Sequence, residues 1–203
     1  MRIEICGGVA SGKTTLCKLI ATSGYRSILE NFHHNPFWSE FYREPKVFAF
    51  ETEITFLLQH YSQTKIAASK SDRAVCDFAF LQDDAYAGIN LKGAQLAVFR
   101  AVYGQVLDEI SSPTFMIHLV CPAEEQLVRI RRRARPEESF IELDYLEKLN
   151  RTIANCAVQF RARAPILSID SAANDFANDL AAQERVLISI ISAMTGDETT
   201  GGL

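Results

Sequence analysis

A chain of 203 residues with 48% hydrophobic content can bury a full core without disulfides, and no linker, repeat or low-complexity block divides it. Its net charge of −4 disfavours a polyanionic partner such as DNA or RNA, no apolar run approaches bilayer length, and the N-terminus carries no basic-then-apolar leader. Five cysteines without metal-ligand spacing suit a reducing compartment. The expectation is a cytoplasmic protein with one domain over residues 1–194 and an unstructured tail over 195–203.

The chain opens on a short apolar run, Ile3 to Cys6, read as a strand. Gly7-Gly8-Val9-Ala10-Ser11-Gly12-Lys13-Thr14-Thr15 follows and fits G-x-x-x-x-G-K-[ST]. Glycines let such a loop turn successive N–H groups inward at phosphate oxygens, and the helix expected over 13–22 adds its positive end. Lys13 would reach the β- and γ-phosphates and the Thr14 hydroxyl would ligate Mg²⁺. A plain glycine turn between a strand and a helix is the alternative reading.

A second strand over Ser27–Leu29 ends at Glu30, a candidate base for an acceptor hydroxyl or else a surface acid. Phe50, Ile54, Leu57, Leu58 and Tyr61 recur at three- and four-residue steps and predict a helix over about 46–70. The third strand, Ala74–Cys76, ends at Asp77, a candidate metal ligand or a plain helix cap for the segment Phe78–Tyr86. Helices over 93–111, 123–134, 141–161 and 175–194 alternate with strands at Phe115–Val120 and Ile166–Ile169, the pattern of a parallel α/β sheet. Late in the 123–134 helix, Arg129, Arg133 and Arg135 are candidates to fold over a triphosphate, or a solvated basic helix end.

Taken in order, these elements resemble the deoxynucleoside kinase family from the phosphate loop to the Asp170 region. Glu30-Asn31, Asn35-Pro36-Phe37 and Phe41-Tyr42-Arg43-Glu44-Pro45 are similar to its acidic strand end and substrate-side helix. Asp77 and Asp83 keep its six-residue interval, Arg129-x-x-x-Arg133-x-Arg135-x-x-Glu138 is similar to its LID, expected at about 129–140, and Tyr145 to Leu149 resembles the helix after it. The resemblance implies a P-loop NTPase-type three-layer α/β/α fold whose five-stranded parallel sheet has the order 2-3-1-4-5. It implies ATP, or another nucleoside triphosphate, as phosphate donor, Mg²⁺ at Thr14 and Asp77, and Glu30, Lys13, Arg129 and Arg133 as catalytic groups. Tyr42 with Glu138 would hold the sugar 3′-hydroxyl, Glu53, His60 and Asp83 would face the rest of the acceptor, and Arg135 and Asp170 would lie beside the donor. A small-molecule nucleoside is the implied partner, and a homodimer the implied assembly. The apolar stretch Leu91–Leu107 could provide its face or belong to the core.

Three positions depart from the family pattern: Glu53 replaces a glutamine, His60 an arginine, and Phe78 an arginine directly after the strand-three acid. An ionised Glu53 only accepts hydrogen bonds, which suits the adjacent N–H groups of guanine. Glu53 and His60, seven residues apart, are nearly aligned on one helix. With Asp83 nearby, two carboxylates would compete for one weakly cationic partner, raising a carboxylate pKa or favouring protonated His60. Acceptor binding is therefore expected to change between pH 5.5 and 7.5, unless His60 is an ordinary residue of a half-exposed face. His33-His34 is a poor metal pair and reads as loop. The expected activity is phosphoryl transfer to the 5′-hydroxyl of a (deoxy)nucleoside, possibly a purine. Alternatives are a kinase of a nucleotide or other small hydroxyl compound, or an ATP-binding regulatory protein with little turnover. No Asn-Lys-x-Asp motif supports a GTPase.

Overall fold

The computed structural model describes residues 1–68 and 73–196. Five parallel strands, β1 (Arg2–Gly7), β2 (Arg26–Ile28), β3 (Ala74–Cys76), β4 (Phe115–Val120) and β5 (Ile166–Asp170), form one sheet in the order β2-β3-β1-β4-β5. The register pairs Glu4 with Cys76 on one side of β1, and Ile5 with Ile117 on the other. Central β1 is buried from Ile3 to Gly7, Glu4 included, because both faces of a parallel sheet are covered by helices. Side chains alternate between those faces. Ile3 and Ile5 join Leu16 and Val186, from α1 (Lys13–Ala21) and α8 (Leu180–Thr195). Cys6 instead joins Leu146, Leu149 and Ile153 of α7 (Leu143–Phe160) and Ile130 of α6 (Ala123–Arg133).

A third cluster stands beside the sheet. It packs Phe41 of α2 (Trp38–Arg43), Leu57 of α3 (Pro45–Ala68), Phe80 of α4 (Phe80–Asn90) and Phe99 and Val106 of α5 (Gly93–Glu109). Leu91 also joins this cluster, so the stretch of uncertain role supplies core, although Val98 stays exposed.

The expected fold and strand order match. Element boundaries shift where turns compete with helices. The helix expected from 175 begins at Leu180, because Asp170 Oδ1 accepts from Ala172 N and Ala173 N and Asp175 Oδ1 accepts from Asn178 N, closing two turns first. Asp179 then caps α8 by accepting from Ala181 N at 2.9 Å. At the other end Thr195 closes α8 and Gly196 adopts the left-handed φ of 77°, so these two residues of the expected tail finish a helix. Residues 197–203 of that tail, and 69–70 of the helix expected over 46–70, lie outside the described residues. No helix among the described residues is long and apolar enough to cross a membrane.

Candidate active site

A cleft of about 800 Å³ opens at the carboxyl edge of the sheet, where loops after parallel strands gather. One wall is the loop after β1. Gly12, at the head of α1, has φ 100°, a region open to glycine, and Ala10 holds φ 58°. Gly8 is needed for a different reason: a Cβ there would lie 2.3 Å from both Asn150 Oδ1 and Gln126 Nε2. Those amides bind each other reciprocally, at 3.1 and 3.0 Å, and Asn150 Nδ2 also donates to Cys121 O, so α6, α7 and the end of β4 together brace the loop. From α4, Gln82 Oε1 accepts from Gly7 N at 3.0 Å. Lys13 folds back over the loop and donates to Gly7 O at 2.9 Å and Gly8 O at 3.0 Å.

Asp77 joins this wall to the opposite one. Its Oδ2 accepts from Thr14 Oγ1 at 2.6 Å and its Oδ1 from the backbone N–H of Glu30 at 2.5 Å. Burial raises the Asp77 pKa, and the two hydrogen bonds work against that rise. Thr14 and Asp77 are hard oxygen donors of the kind Mg²⁺ prefers. Among the described residues no three His, Cys, Asp or Glu side chains gather to hold a metal. Ser11 Oγ, buried in the loop without a hydrogen-bond partner, suits an incoming acceptor oxygen.

The opposite wall carries Glu30, Tyr42, Glu53, Asp83, Tyr86 and Glu138 among aromatic side chains. His60 is buried at 1% exposure. Its Nδ1 faces Asp83 Oδ1 and Oδ2 at 3.0 and 3.1 Å, its Nε2 faces Glu30 Oε1 at 3.2 Å, and its ring stacks on Phe78 at 4.0 Å. Burial opposes the imidazolium, but the charges and hydrogen bonds of Asp83 and Glu30 outweigh it and raise its pKa to about 10. Burial likewise opposes the Glu30 carboxylate, and His60 leads the groups that hold its pKa below the ordinary value. Glu53 Oε1 accepts from Asn90 Nδ2 at 2.7 Å. There burial, helped by Asp83 and Glu30 and opposed by Asn90 and His60, pushes the pKa up to about 8.

Over the cleft, Arg129 Nη2 donates to Ser171 O at 2.8 Å and Arg129 Nε to Glu125 Oε1 at 2.8 Å. Arg133 and Arg135 both turn to Glu138, at 2.5 and 3.2 Å, and Arg135 also lies over the Phe32 ring. The phosphate-loop side is completed by Ser171, Ala172 and Asn174 to Asn178.

A phosphate loop, an acid-lined acceptor wall and an arginine-bearing cover thus meet in one cleft. The family model for deoxynucleoside kinases matches residues 3–194. The chain belongs to the deoxynucleoside kinase family. A deoxyguanosine kinase of Bacillus subtilis (strain 168) is 28% identical over 192 residues, spanning 91% of this chain and 93% of its own. A deoxyadenosine/deoxycytidine kinase of the same organism is 26% identical over 201 residues, spanning 95% and 92%. A solved deoxyadenosine kinase of M. mycoides shares the fold with a TM-score of 0.81 at 24% identity, over 95% of this chain and all of that one. This kinase is therefore a phosphotransferase with an alcohol acceptor, phosphorylating a deoxynucleoside from ATP.

The kinase brings most of the sequence-derived candidates to the cleft: Val9 through Thr15, Glu30, Tyr42, Glu53, Asp77, Asp83, Arg129, Arg133, Arg135 and Glu138. Gly7 and Gly8 stay behind the lining, at the braced base of the loop, and two further candidates act otherwise. His60 is turned to the carboxylates of the acceptor wall and is buried, because α3 packs it against Phe78. Asp170 spends its carboxylate on the turn after β5, while its neighbours from Ser171 onward reach the cleft. Burial raises the Glu53 pKa to about 8, in line with the expectation that crowded carboxylates raise one another, so its proton is held more firmly than an exposed glutamate's.

Gln82, Asn90, Gln126 and Asn150 escaped the sequence reading. Asn150 did leave a signal, since it lies four residues after Leu146 on the buried stripe of α7. Gln82 and Gln126 carry no spacing that marks them.

Proposed function

We propose that the chain transfers the γ-phosphoryl group of ATP to the 5′-hydroxyl of a purine deoxynucleoside, with Glu30 receiving the hydroxyl proton. The observation that carries this reading is Asp77, whose two oxygens tie the Thr14 hydroxyl of the phosphate loop to the backbone of Glu30. Donor loop and acceptor acid are thereby held at one distance, and positioning of this kind supplies much of the catalysis in phosphoryl transfer. The new O–P bond forms as the bond to the ADP oxygen breaks, and the proton passes to Glu30. A low Glu30 pKa is compatible with that role, because a loose transition state asks the acid to orient the hydroxyl more than to pull its proton early.

Thr14 and Asp77 would hold Mg²⁺, which neutralises phosphate charge when bound. Lys13, Arg129 and Arg133 would complement charge on the transferring group, with Arg135 and the segment from Ser171 beside the donor. Tyr42 and Glu138 line the cleft together and would take the sugar hydroxyl. A phosphorylated acceptor is disfavoured by the acids Glu30 and Asp83 on the same wall.

Glu53 supports the purine assignment. As a neutral acid it offers a donor and an acceptor, which fit the donor–acceptor edge of a purine or a pyrimidine alike; as a carboxylate it favours the adjacent N1–H and N2 amino donors that guanine alone presents, and this form carries the purine assignment. The deoxyguanosine kinase relative agrees with this class, and the deoxyadenosine/deoxycytidine kinase relative takes a purine together with a pyrimidine. A cytoplasmic homodimer remains part of the proposal; Leu58 of α3 and Val98 of α5 are exposed apolar surface that it would cover.

The test is Mg²⁺-dependent ADP release from ATP against a panel of deoxynucleosides, ribonucleosides and their 5′-monophosphates. Turnover with deoxyguanosine or deoxyadenosine, reduced about 100-fold or more in Lys13→Ala, is the expected result. Turnover confined to pyrimidines or monophosphates would reject it.

A further inference from the structure

Three acids, Glu30, Glu53 and Asp83, share the acceptor wall, and each disfavours ionisation of the others. His60 is the base that enters this group. Both of its ring nitrogens face carboxylate oxygens, Nδ1 toward Asp83 and Nε2 toward Glu30. A neutral imidazole can donate through one nitrogen only and would aim a lone pair at the other carboxylate, so this geometry selects the doubly protonated ring. Phe78 stacks on one side at 4.0 Å with planes 7° apart, and Phe56 lies 6.0 Å away with planes at 27°. The ring plane is thereby set by aromatic packing, and the Nε2–H direction with it. His60 engages Oε1 of Glu30, leaving Oε2 for a hydroxyl.

We propose that His60 is a positioning residue for phosphoryl transfer: an imidazolium clamped between Asp83 and Glu30, and stacked on Phe78, that fixes the Glu30 carboxylate toward the acceptor hydroxyl. The proposal rests on the reading of Glu30 as the acid that receives the hydroxyl. It also assigns Phe78 a task. Directly after Asp77, where a polar side chain could enter the cleft, the phenyl ring is fully buried and serves as the platform for His60. A misdirected carboxylate costs rate far more than affinity, since the hydroxyl is aligned only for reaction.

The experiment is steady-state kinetics of Glu30→Gln, His60→Gln, His60→Arg and the double variant Glu30→Gln/His60→Gln, alongside ¹⁵N NMR of the histidine rings of the unsubstituted protein at pH 7. Glu30→Gln alone tests the underlying reading: wild-type kcat in that variant removes the acid role itself. Given a loss there, the proposal expects His60→Gln to lower kcat by about 100-fold with the nucleoside KM changed much less. It expects His60→Arg, which restores a planar cation, to recover part of the loss. The double variant should be no slower than Glu30→Gln, because both substitutions remove one coupled function. The NMR spectrum should show one buried ring with both nitrogens protonated, a readout independent of how the variants fold. Wild-type kcat in His60→Gln, a loss confined to KM, additive losses in the double variant, or a neutral buried ring would each overturn the proposal.

Discussion

Glu53 illustrates how one carboxyl changes meaning with its surroundings. In the isolated sequence it is an acid in place of an amide; in the fold it is 5% exposed, bound to Asn90 and close to two other carboxylates. With its pKa near 8, acceptor recognition should change between about pH 7 and 9, above the window that spacing on α3 alone suggests. The ratio of kcat/KM for deoxyguanosine over deoxyadenosine is expected to rise through pH 8 as Glu53 loses its donor, and to be flat in Glu53→Gln, which titrates nothing; assays across that range decide it. Stability carries the same sign. The folded pKa exceeds the unfolded value of 4.5, so the contribution is complete below that value and is lost as pH rises through about 8. Denaturant titrations from pH 5 to 9 should therefore show Glu53→Gln gaining on the unsubstituted protein, by on the order of a few kcal/mol.

Among elements, the loop after β1 shows what a short motif leaves unsaid. Its spacing announces a turn between a strand and a helix suited to phosphate, and the structure places it between β1 and α1. The motif is silent about its supports, which are Gln82 on α4, Gln126 on α6 and Asn150 on α7. Gly8→Ala would push a methyl into the Gln126–Asn150 pair and force one amide off the other. The expected cost is about 1–3 kcal/mol of stability, with weakened ATP affinity because the loop must shift; thermal melts and ATP titrations measure the two effects. The helix boundaries follow the same logic. α7 presents an apolar stripe and Pro122 with Glu124 and Glu125 opens α6, so both were located closely. α3 was located too, although its buried face mixes Leu57 with Thr52, Glu53, His60 and Thr64, whereas the start of α8 moved because Asp170, Asp175 and Asp179 each capture backbone N–H groups locally.

At the scale of the molecule, the cleft exists because parallel strands β1, β2 and β3 end at one edge of the sheet and deliver the phosphate loop, Glu30 and Asp77 together. Ligand occupancy should accordingly stabilise the whole domain: ATP at 100 times its Kd is expected to add about 2.7 kcal/mol, and the gain at the same concentration should shrink in Lys13→Ala, as thermal or denaturant unfolding will show. The amino-acid sequence by itself determined the α/β class, the phosphate loop, the acids that end β2 and β3, and the arginine-bearing end of α6. These depend on spacing, alternation and backbone freedom over a few residues. Strand order came only through resemblance, because periodicity does not say which strands are neighbours. The tertiary structure alone decided that His60 joins Glu30 to Asp83, that Glu53 is buried against Asn90, and that Asp170 shapes a turn. Each of these depends on burial and on partners far away in the chain, and those are set by how the helices rotate and pack on the sheet.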